Sequence, residues 1–376
     1  MGENWRKAGW AGAALGVLAA GAAAGVAVER LTVGRGVRRE ARLALDAAGP
    51  YGSLRGTVGR VAAEDGTELV YEVDEPSAED AAARVAAGLP ELTVVFCHGY
   101  CLSQDSWHFQ RAALRELGVR AVFWDQRSHG RSARGVGQES GEPVTIDLLG
   151  ADLRAVLDAA VPEGDVVLVG HSMGGMTIMA AADADPGFVR ERVVGVALIG
   201  TSSGGLADVT YGLPVAGVAA VRRVLPGVLR ALGSQAELVE RGRRATADLF
   251  AGMIKRYSFG SREVDPAVAR FAERLIEGTP IDVVAEFYPA FGAHEKGEAL
   301  ALFEGLPVTV VAADRDMITP PEHSEAIKEL LPGAELVVLE NAGHLLMLEH
   351  PERVSGLLEE LLRRVGERAG AAGDGR

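Results

Sequence analysis

The chain has 376 residues, a length that fits two to three units of about 150 residues each. Lys and Arg number 38 against 52 Asp and Glu, so the net charge is −14. Residues 1–45 carry seven basic and three acidic side chains, and the rest of the chain is therefore strongly acidic. This charge balance argues against nucleic acid as a partner of the main body, because phosphate binding requires a basic surface. The two cysteines, Cys97 and Cys101, are too few for a disulfide scaffold or a structural zinc site made of cysteines.

Residues 8–28 contain no charged side chain and include ten Ala and five Gly. About 20 apolar residues span a bilayer as a helix, so this segment predicts a membrane-associated protein that contacts the membrane through residues 8–28. Five arginines between residues 30 and 42 favour a cytoplasmic location for the body of the chain that follows them. Two alternatives are a cleaved signal peptide, which would give a secreted protein, and a low-complexity tail rich in Ala and Gly.

The elements that follow alternate between strand and helix patterns. A hairpin is predicted over residues 59–74, with its turn at Asp65-Gly66, and residues 77–91 are predicted to be a surface connection. Buried strands are predicted at 92–97, 119–124, 165–170, 193–200, 307–313 and 335–339. Helices are predicted at 107–117, 145–160, 172–184, 321–331 and 351–365. This alternation predicts an α/β fold with a mostly parallel sheet and helices on both faces.

No buried strand is evident between residues 205 and 300, where helices are predicted at 215–232, 237–257 and 266–277. An insertion of this size is expected to form a helical lid over the active edge of the sheet. The chain is accordingly divided into an N-terminal anchor or signal segment (1–45), a first core part (46–204), a lid (205–300), a second core part (301–366) and a disordered tail (367–376).

The strongest chemical signal is Gly170-His171-Ser172-Met173-Gly174, which follows an apolar strand and precedes a helix. A serine at such a strand-to-helix turn exposes its hydroxyl, and the flanking glycines relieve crowding. The helix N-terminus adds partial positive charge where an oxyanion would form. The pattern predicts that Ser172 is a nucleophile.

A serine nucleophile requires a base, and the base requires an orienting carboxylate. His344 follows the last predicted strand and is the candidate base, whereas His350 precedes Pro351 and is interpreted as a helix-capping residue. Asp314 and Asp316 follow the strand at 307–313, and either of them fits the orienting role or a structural turn.

An oxyanion hole requires two hydrogen-bond donors. The candidates are the backbone N–H groups of Met173, which follows the nucleophile, and of Tyr100, in the loop after the first long strand. Cys97 ends that strand and is interpreted as a buried core thiol rather than a nucleophile.

Taken together, these motifs resemble the α/β-hydrolase superfamily, specifically its lid-bearing serine esterase and lipase-like branch. The motifs in family order are His98-Gly99, the turn from Asp125 to Ser132, the Ser172 motif, and Asp316 with Gly343-His344. The resemblance implies a Ser-Asp-His triad, and it favours Asp316 over Asp314 because family acids usually stand four residues before a proline, here Pro320. Ser128 departs from the family turn, where glycine is usual.

The predicted function is a serine hydrolase that cleaves carboxylic esters of lipophilic acyl groups through an acyl-enzyme intermediate. Its catalytic residues would be Ser172, Asp316 and His344, with the oxyanion held by Tyr100 and Met173. No cofactor and no metal are implied, and the expected partner is a lipophilic small-molecule ester rather than nucleic acid. Alternatives are a cofactor-free haloperoxidase or perhydrolase, a C–C bond hydrolase with the same triad, and a non-catalytic binding module.

Overall fold

The computed structural model describes residues 35–208, 227, 254, 256–261 and 263–374. Eight strands form one sheet in the spatial order β1-β2-β4-β3-β5-β6-β7-β8. β1 and β2 pair antiparallel, as do β2 and β4, and all other neighbours are parallel. The strands are β1 (Thr57–Ala62), β2 (Glu68–Asp74), β3 (Thr93–Cys97), β4 (Arg120–Trp124), β5 (Val166–His171), β6 (Val193–Ile199), β7 (Val308–Ala313) and β8 (Glu335–Leu339).

Helices cover both faces of this sheet, as predicted. They are α1 (Arg35–Ala48), α2 (Ala78–Ala86), α3 (His108–Glu116), α4 (Val136–Glu139), α5 (Ile146–Ala160), α6 (Met173–Ala184), α7 (Pro186–Arg192), α8 (Pro266–Glu277), α9 (Ile281–Gly292), α10 (Pro321–Leu330), α11 (Leu346–Glu349) and α12 (Pro351–Asp374). Apolar residues of α3 and α12 pack on one face of the sheet, and those of α5, α6 and α10 pack on the other.

The central strands are buried on both sides because successive side chains point to opposite faces. In β3, Val94 and Phe96 join the apolar cluster on one face, whereas Val95 and Cys97 join the cluster on the other. The mostly parallel α/β fold that the sequence predicts is confirmed. The carboxyl ends of β3, β5, β7 and β8 lie along the same edge of the sheet, and the loops that follow them carry the predicted site residues.

Two of the segments that differ from the sequence-based prediction are residues 77–91 and the end of the last helix. Residues 77–91, predicted as a surface connection, contain helix α2, which Ser77 and Asp80 begin with a reciprocal capping box. Helix α12 continues to Asp374, whereas the sequence predicts a disordered tail from residue 367.

Part of the predicted lid can be compared with the structure. Helix α8 has the bounds that the sequence predicts, and α9 follows it within the range 205–300. The predicted helix at 215–232 and most of the one at 237–257 lie outside the described residues.

The prediction of a membrane-associated protein is wrong. Among the helices of the described ranges, none is long and apolar enough to cross a bilayer. The segment on which the prediction rested, residues 8–28, lies outside these ranges. That prediction depended on the length of an uncharged stretch rich in Ala and Gly, two residue types that gain little free energy from transfer into lipid.

Candidate active site

Ser172 occupies a sharp turn between β5 and α6, with φ 51° and ψ −119°. Such a conformation is strained for a residue with a side chain and persists only where the surroundings hold it. Here the Ser172 N–H donates to Ile199 O at 2.9 Å, and the Thr201 hydroxyl donates to Ser172 O at 2.7 Å. A Cβ on Gly174 would lie 2.0 Å from Cys97 O, so this position requires glycine.

His344 and Asp316 meet in a hydrogen bond between the loops that follow β8 and β7. His344 Nδ1 lies 2.8 Å from Asp316 Oδ2. The backbone N–H groups of Ile318 and Thr319 donate to Asp316 Oδ1 at 2.8 and 3.0 Å, and the Thr319 hydroxyl lies 2.9 Å from Oδ2. Burial by itself would raise the pKa of Asp316, but His344 and these donors outweigh it and lower that pKa. Asp316 is therefore a buried, ionised acceptor for the Nδ1–H of His344.

Asp314, the other carboxylate that the sequence left open, lies on the surface. Its Oδ1 accepts a hydrogen bond from the backbone N–H of Ala342 at 3.1 Å. Among the contacts of the described residues, none joins Asp314 to the imidazole of His344. Asp314 thus ties together the two loops that carry Asp316 and His344.

The backbone N–H groups of Tyr100 and Met173 have no acceptor among the described residues. Gly99 O, in the same peptide as the Tyr100 N–H, accepts from His98 Nδ1–H at 2.7 Å and from the Leu102 N–H at 3.2 Å. In a trans peptide the C=O and N–H point in opposite directions, so these two bonds turn the Tyr100 N–H away from His98.

Two histidines that sequence reasoning did not assign to the site hold this loop. His98 Nε2 accepts the N–H of Gln126 at 2.9 Å, and His129 Nε2 accepts the N–H of Cys101 at 3.2 Å. His129 Nδ1–H donates to Arg127 O at 2.9 Å. Both side chains belong to motifs that support the family resemblance, but nothing in those motifs indicates which atoms they contact.

The turn that contains His129 also contains Ser128, which stands where the family usually has glycine. Ser128 adopts φ 63°, a left-handed conformation that favours glycine. Its hydroxyl donates to Gln138 Oε1 at 2.6 Å and accepts the N–H of Gly135 at 3.2 Å. These two hydrogen bonds hold the conformation that the family usually obtains with glycine.

Ser172 and His344 line the same cavity, which has a volume of about 410 Å³. Its walls are mainly aromatic and aliphatic, and they include Tyr100, Leu102, Met176, Ile276, Tyr288 and Phe291. Cys101 also lines this cavity, whereas Cys97 is fully buried and burial raises the pKa of its thiol to about 12. The structure thus places Cys97 in the core.

Helix α9 covers the loop that carries Tyr100. The Tyr100 hydroxyl donates to Val284 O in α9, and the rings of Tyr100 and Phe291 lie 4.9 Å apart. Phe287 of the same helix packs edge-on against His129 at 4.9 Å. The loop between β3 and α3 is therefore held from the sheet side by histidines and from the other side by α9.

Burial lowers the pKa of His98 to about 4 and the pKa values of His129 and His171 to about 3. The unfolded chain, with histidine pKa values near 6.5, therefore binds more protons below that pH than the folded protein does. The stability that these neutral side chains contribute is present above pH 6.5 and is lost as the pH falls toward their folded values. We expect the free energy of unfolding to decrease from about pH 6.5 to about pH 5, measured by denaturant titration.

His129→Gln is the matched control for this pH dependence, because its amide oxygen can still accept from Cys101 but cannot be protonated. The slope of stability against pH should be shallower in this variant. A wild-type stability that does not change over this pH interval would contradict the prediction.

The parallel sheet, the serine on a strained turn and the hydrogen-bonded His344–Asp316 pair are the features of an α/β hydrolase. The model of the alpha/beta hydrolase family matches residues 94–357, and the chain belongs to this family.

Individual relatives support the same placement. A region of 115 residues is 37% identical to a non-heme haloperoxidase of Rhodococcus erythropolis and covers 31% of this chain and 35% of that protein. A region of 263 residues is 27% identical to an sn-1-specific diacylglycerol lipase of Mus musculus and covers 69% and 77% of the two chains. The solved structure of a thermophilic esterase from Thermogutta terrifontis superimposes with a TM-score of 0.60 at 24% identity, covering 82% of this chain and 99% of that one.

The chain spans only part of several curated relatives. The matched region covers 35%, 44% and 63% of the lengths of three of them. The likeness to the Thermogutta esterase, at 24% identity, establishes the fold.

Proposed function

We propose that this protein is a serine hydrolase that cleaves carboxylic esters of lipophilic acyl groups through an acyl-enzyme intermediate. The observation that supports this most directly is the site itself: Ser172, on a strained turn, and His344, which is hydrogen-bonded to Asp316, border one apolar cavity. A Ser-His-Asp triad is defined by such geometry and by the role of each group, and this supports our assignment of the triad to Ser172, His344 and Asp316.

In the proposed mechanism the Ser172 hydroxyl attacks the ester carbonyl while His344 Nε2 takes the proton of that hydroxyl. The C–O bond to the alcohol then breaks, and His344 returns the proton to the leaving alkoxide. Water attacks the remaining acyl-serine ester with His344 again as base, which releases the carboxylic acid and restores the serine. Asp316 holds the proton of His344 on Nδ1, so that Nε2 faces the reaction, and stabilises the imidazolium that forms.

The negative charge that develops on the carbonyl oxygen would be held by the backbone N–H groups of Met173 and Tyr100. Neither N–H group has an acceptor among the described residues, so each of them is available to donate a hydrogen bond to a substrate oxygen. Met173 is the first residue of α6, so the partial positive charge of the helix N-terminus adds to the hydrogen bond.

Labelling with a fluorophosphonate probe tests the nucleophile without assuming a particular ester. We expect the wild-type protein to be labelled at Ser172 and to hydrolyse chromogenic esters. A protein that is neither labelled nor active would instead support a non-catalytic binding module.

The aliphatic and aromatic cavity walls support a lipophilic acyl group as the substrate. Burial of each methylene contributes about 0.8 kcal/mol, which is about a fourfold gain in kcat/KM where the pocket accommodates it. We therefore expect p-nitrophenyl hexanoate to be hydrolysed with at least about a tenfold higher kcat/KM than the acetate.

Ile276→Trp, which adds bulk at the cavity wall, should reduce kcat/KM for the hexanoate more than for the acetate. A steady fall in kcat/KM of the wild type from acetyl to octanoyl esters would contradict a lipophilic acyl pocket.

A second candidate is perhydrolysis, favoured by the similarity to a non-heme haloperoxidase. The acyl-serine would then be attacked by hydrogen peroxide instead of water, so that the product is a peracid. Peracid formation from an ester and hydrogen peroxide, compared with release of the acid under the same conditions, separates the two reactions.

We also propose that residues 205–300 form the lid of this cavity, within the division of the chain given above. Two observations support this. The described part of this range contains the helices α8 and α9, and α9 contributes residues to the cavity wall and contacts Tyr100.

A further inference from the structure

His171 links the turn of the nucleophile to the loop of the base. It is the last residue of β5, directly precedes Ser172 and is fully buried. Its Nε2 lies 2.8 Å from the main-chain oxygen of His344. The rings of His171 and His344 are 4.8 Å apart and inclined by 51°.

The protonation of His171 follows from its partners. A carbonyl oxygen only accepts hydrogen bonds, so the proton of the neutral imidazole must be on Nε2. Nδ1 is buried and has no partner among the described residues. It faces the loop between β3 and α3 so closely that a Cβ on Gly99 would lie 2.6 Å away. Because the pKa of His171 is lowered to about 3, mainly by burial, the ring stays neutral and Nε2 remains its one donor.

We propose that His171 is a positioning residue, which holds the main chain of His344 so that the imidazole of His344 lies between Asp316 and Ser172. The inference rests on the proposed function of the triad. Asp316 binds the His344 side chain at Nδ1, and His171 binds the backbone of the same residue at its oxygen. Two attachments on different atoms fix both the place and the tilt of the ring, which a single hydrogen bond to Nδ1 does not.

Two further hydrogen bonds hold this loop at the residues on either side of His344. The Gly343 N–H donates to Glu349 Oε2 at 2.7 Å, and the Leu345 N–H donates to Ser258 O at 2.9 Å. These bonds keep the loop folded without His171, so removing the His171 donor should shift His344 rather than unfold the site. A displacement of about 1 Å at a reacting group reduces the rate by about 100-fold.

Two variants of similar shape isolate the donor. His171→Gln places an amide N–H near the position of Nε2, whereas His171→Met has a side chain of comparable length without any donor. In the full-length protein, we expect the Met variant to lose about 10- to 100-fold in kcat for a chromogenic ester, with a change in KM below about threefold. The Gln variant should retain most of the activity. The rate of fluorophosphonate labelling of Ser172 should follow the same order, because it also requires the base.

Equal losses in the two variants, or full activity in both, would overturn the proposal. The downfield NMR resonance of the Nδ1–H between His344 and Asp316 provides a readout that needs no substrate. It should be unchanged in His171→Gln and shifted in His171→Met, and an unchanged resonance in both would also overturn the proposal.

A wild-type protein that is neither labelled by the fluorophosphonate nor active on esters would refute the proposed function. The Nδ1–H resonance of His344 in the two variants would still test the role of His171, because it needs no substrate. Circular dichroism establishes that the variants are folded. If His171→Met is not folded, His171→Asn is used in its place, because the shorter asparagine side chain does not reach the main-chain oxygen of His344.

Discussion

Replacing Ser172 with alanine is expected to reduce kcat for ester hydrolysis by about 10⁶-fold. The hydroxyl is the proposed nucleophile, and without it no acyl-enzyme forms, so that only attack by water in the preorganised site remains. Stability should change little, because the backbone of the turn is held by Ile199 and Thr201, which contact main-chain atoms that alanine retains. The measurements are steady-state hydrolysis of a chromogenic hexanoate and thermal unfolding of both proteins.

Ser140→Ala is the control for the loss of a hydroxyl away from the cavity. Ser140 is exposed, and its hydroxyl contacts only Gly137 O among the described residues. This variant should hydrolyse the ester at the wild-type rate. A Ser172→Ala protein that retains more than about a tenth of the wild-type activity would refute the nucleophile.

Asp316→Asn is expected to lower kcat by about 10⁴-fold. The carboxylate only accepts hydrogen bonds at His344 Nδ1, whereas an amide can donate there and stabilise the tautomer with its proton on Nε2. In that tautomer the ring cannot take the proton of Ser172. The variant should remain folded because an amide oxygen can still accept from the Ile318 and Thr319 N–H groups.

Asp314→Asn is a matched control two residues away. Asp314 is exposed and accepts one backbone N–H, a role that an amide oxygen can also fill. Its kcat should stay within about a few-fold of the wild type. A larger loss in Asp314→Asn than in Asp316→Asn would show that the orienting acid is misassigned.

Hydrophobic pattern identified most of the sheet because the central strands are buried on both faces. The run Thr93–Cys97 is apolar apart from its first residue, and its side chains enter two different clusters. Helix α2 was missed for the opposite reason: it buries no side chain and contains only one apolar residue larger than alanine, Val85. Its local signals were its alanine content and the capping pair Ser77 and Asp80. The N-terminal segment shows the limit of composition, since length alone suggested a membrane span where the apolar character was weak.

At the site, local sequence determined the turn that carries the proposed nucleophile, because Ser172 and its flanking glycines lie within five residues of one another. Position after the last strand selected His344, and only the resemblance to the family favoured Asp316 over Asp314. Asp316 is buried and Asp314 is exposed because of the way the two loops meet. The supporting histidines depended on tertiary structure alone. His129 contacts a residue 28 positions away and His171 one 173 positions away, and a hydrogen bond between such distant residues leaves no periodicity or motif in the chain. It forms only when parallel strands bring their carboxyl ends to one edge of the sheet.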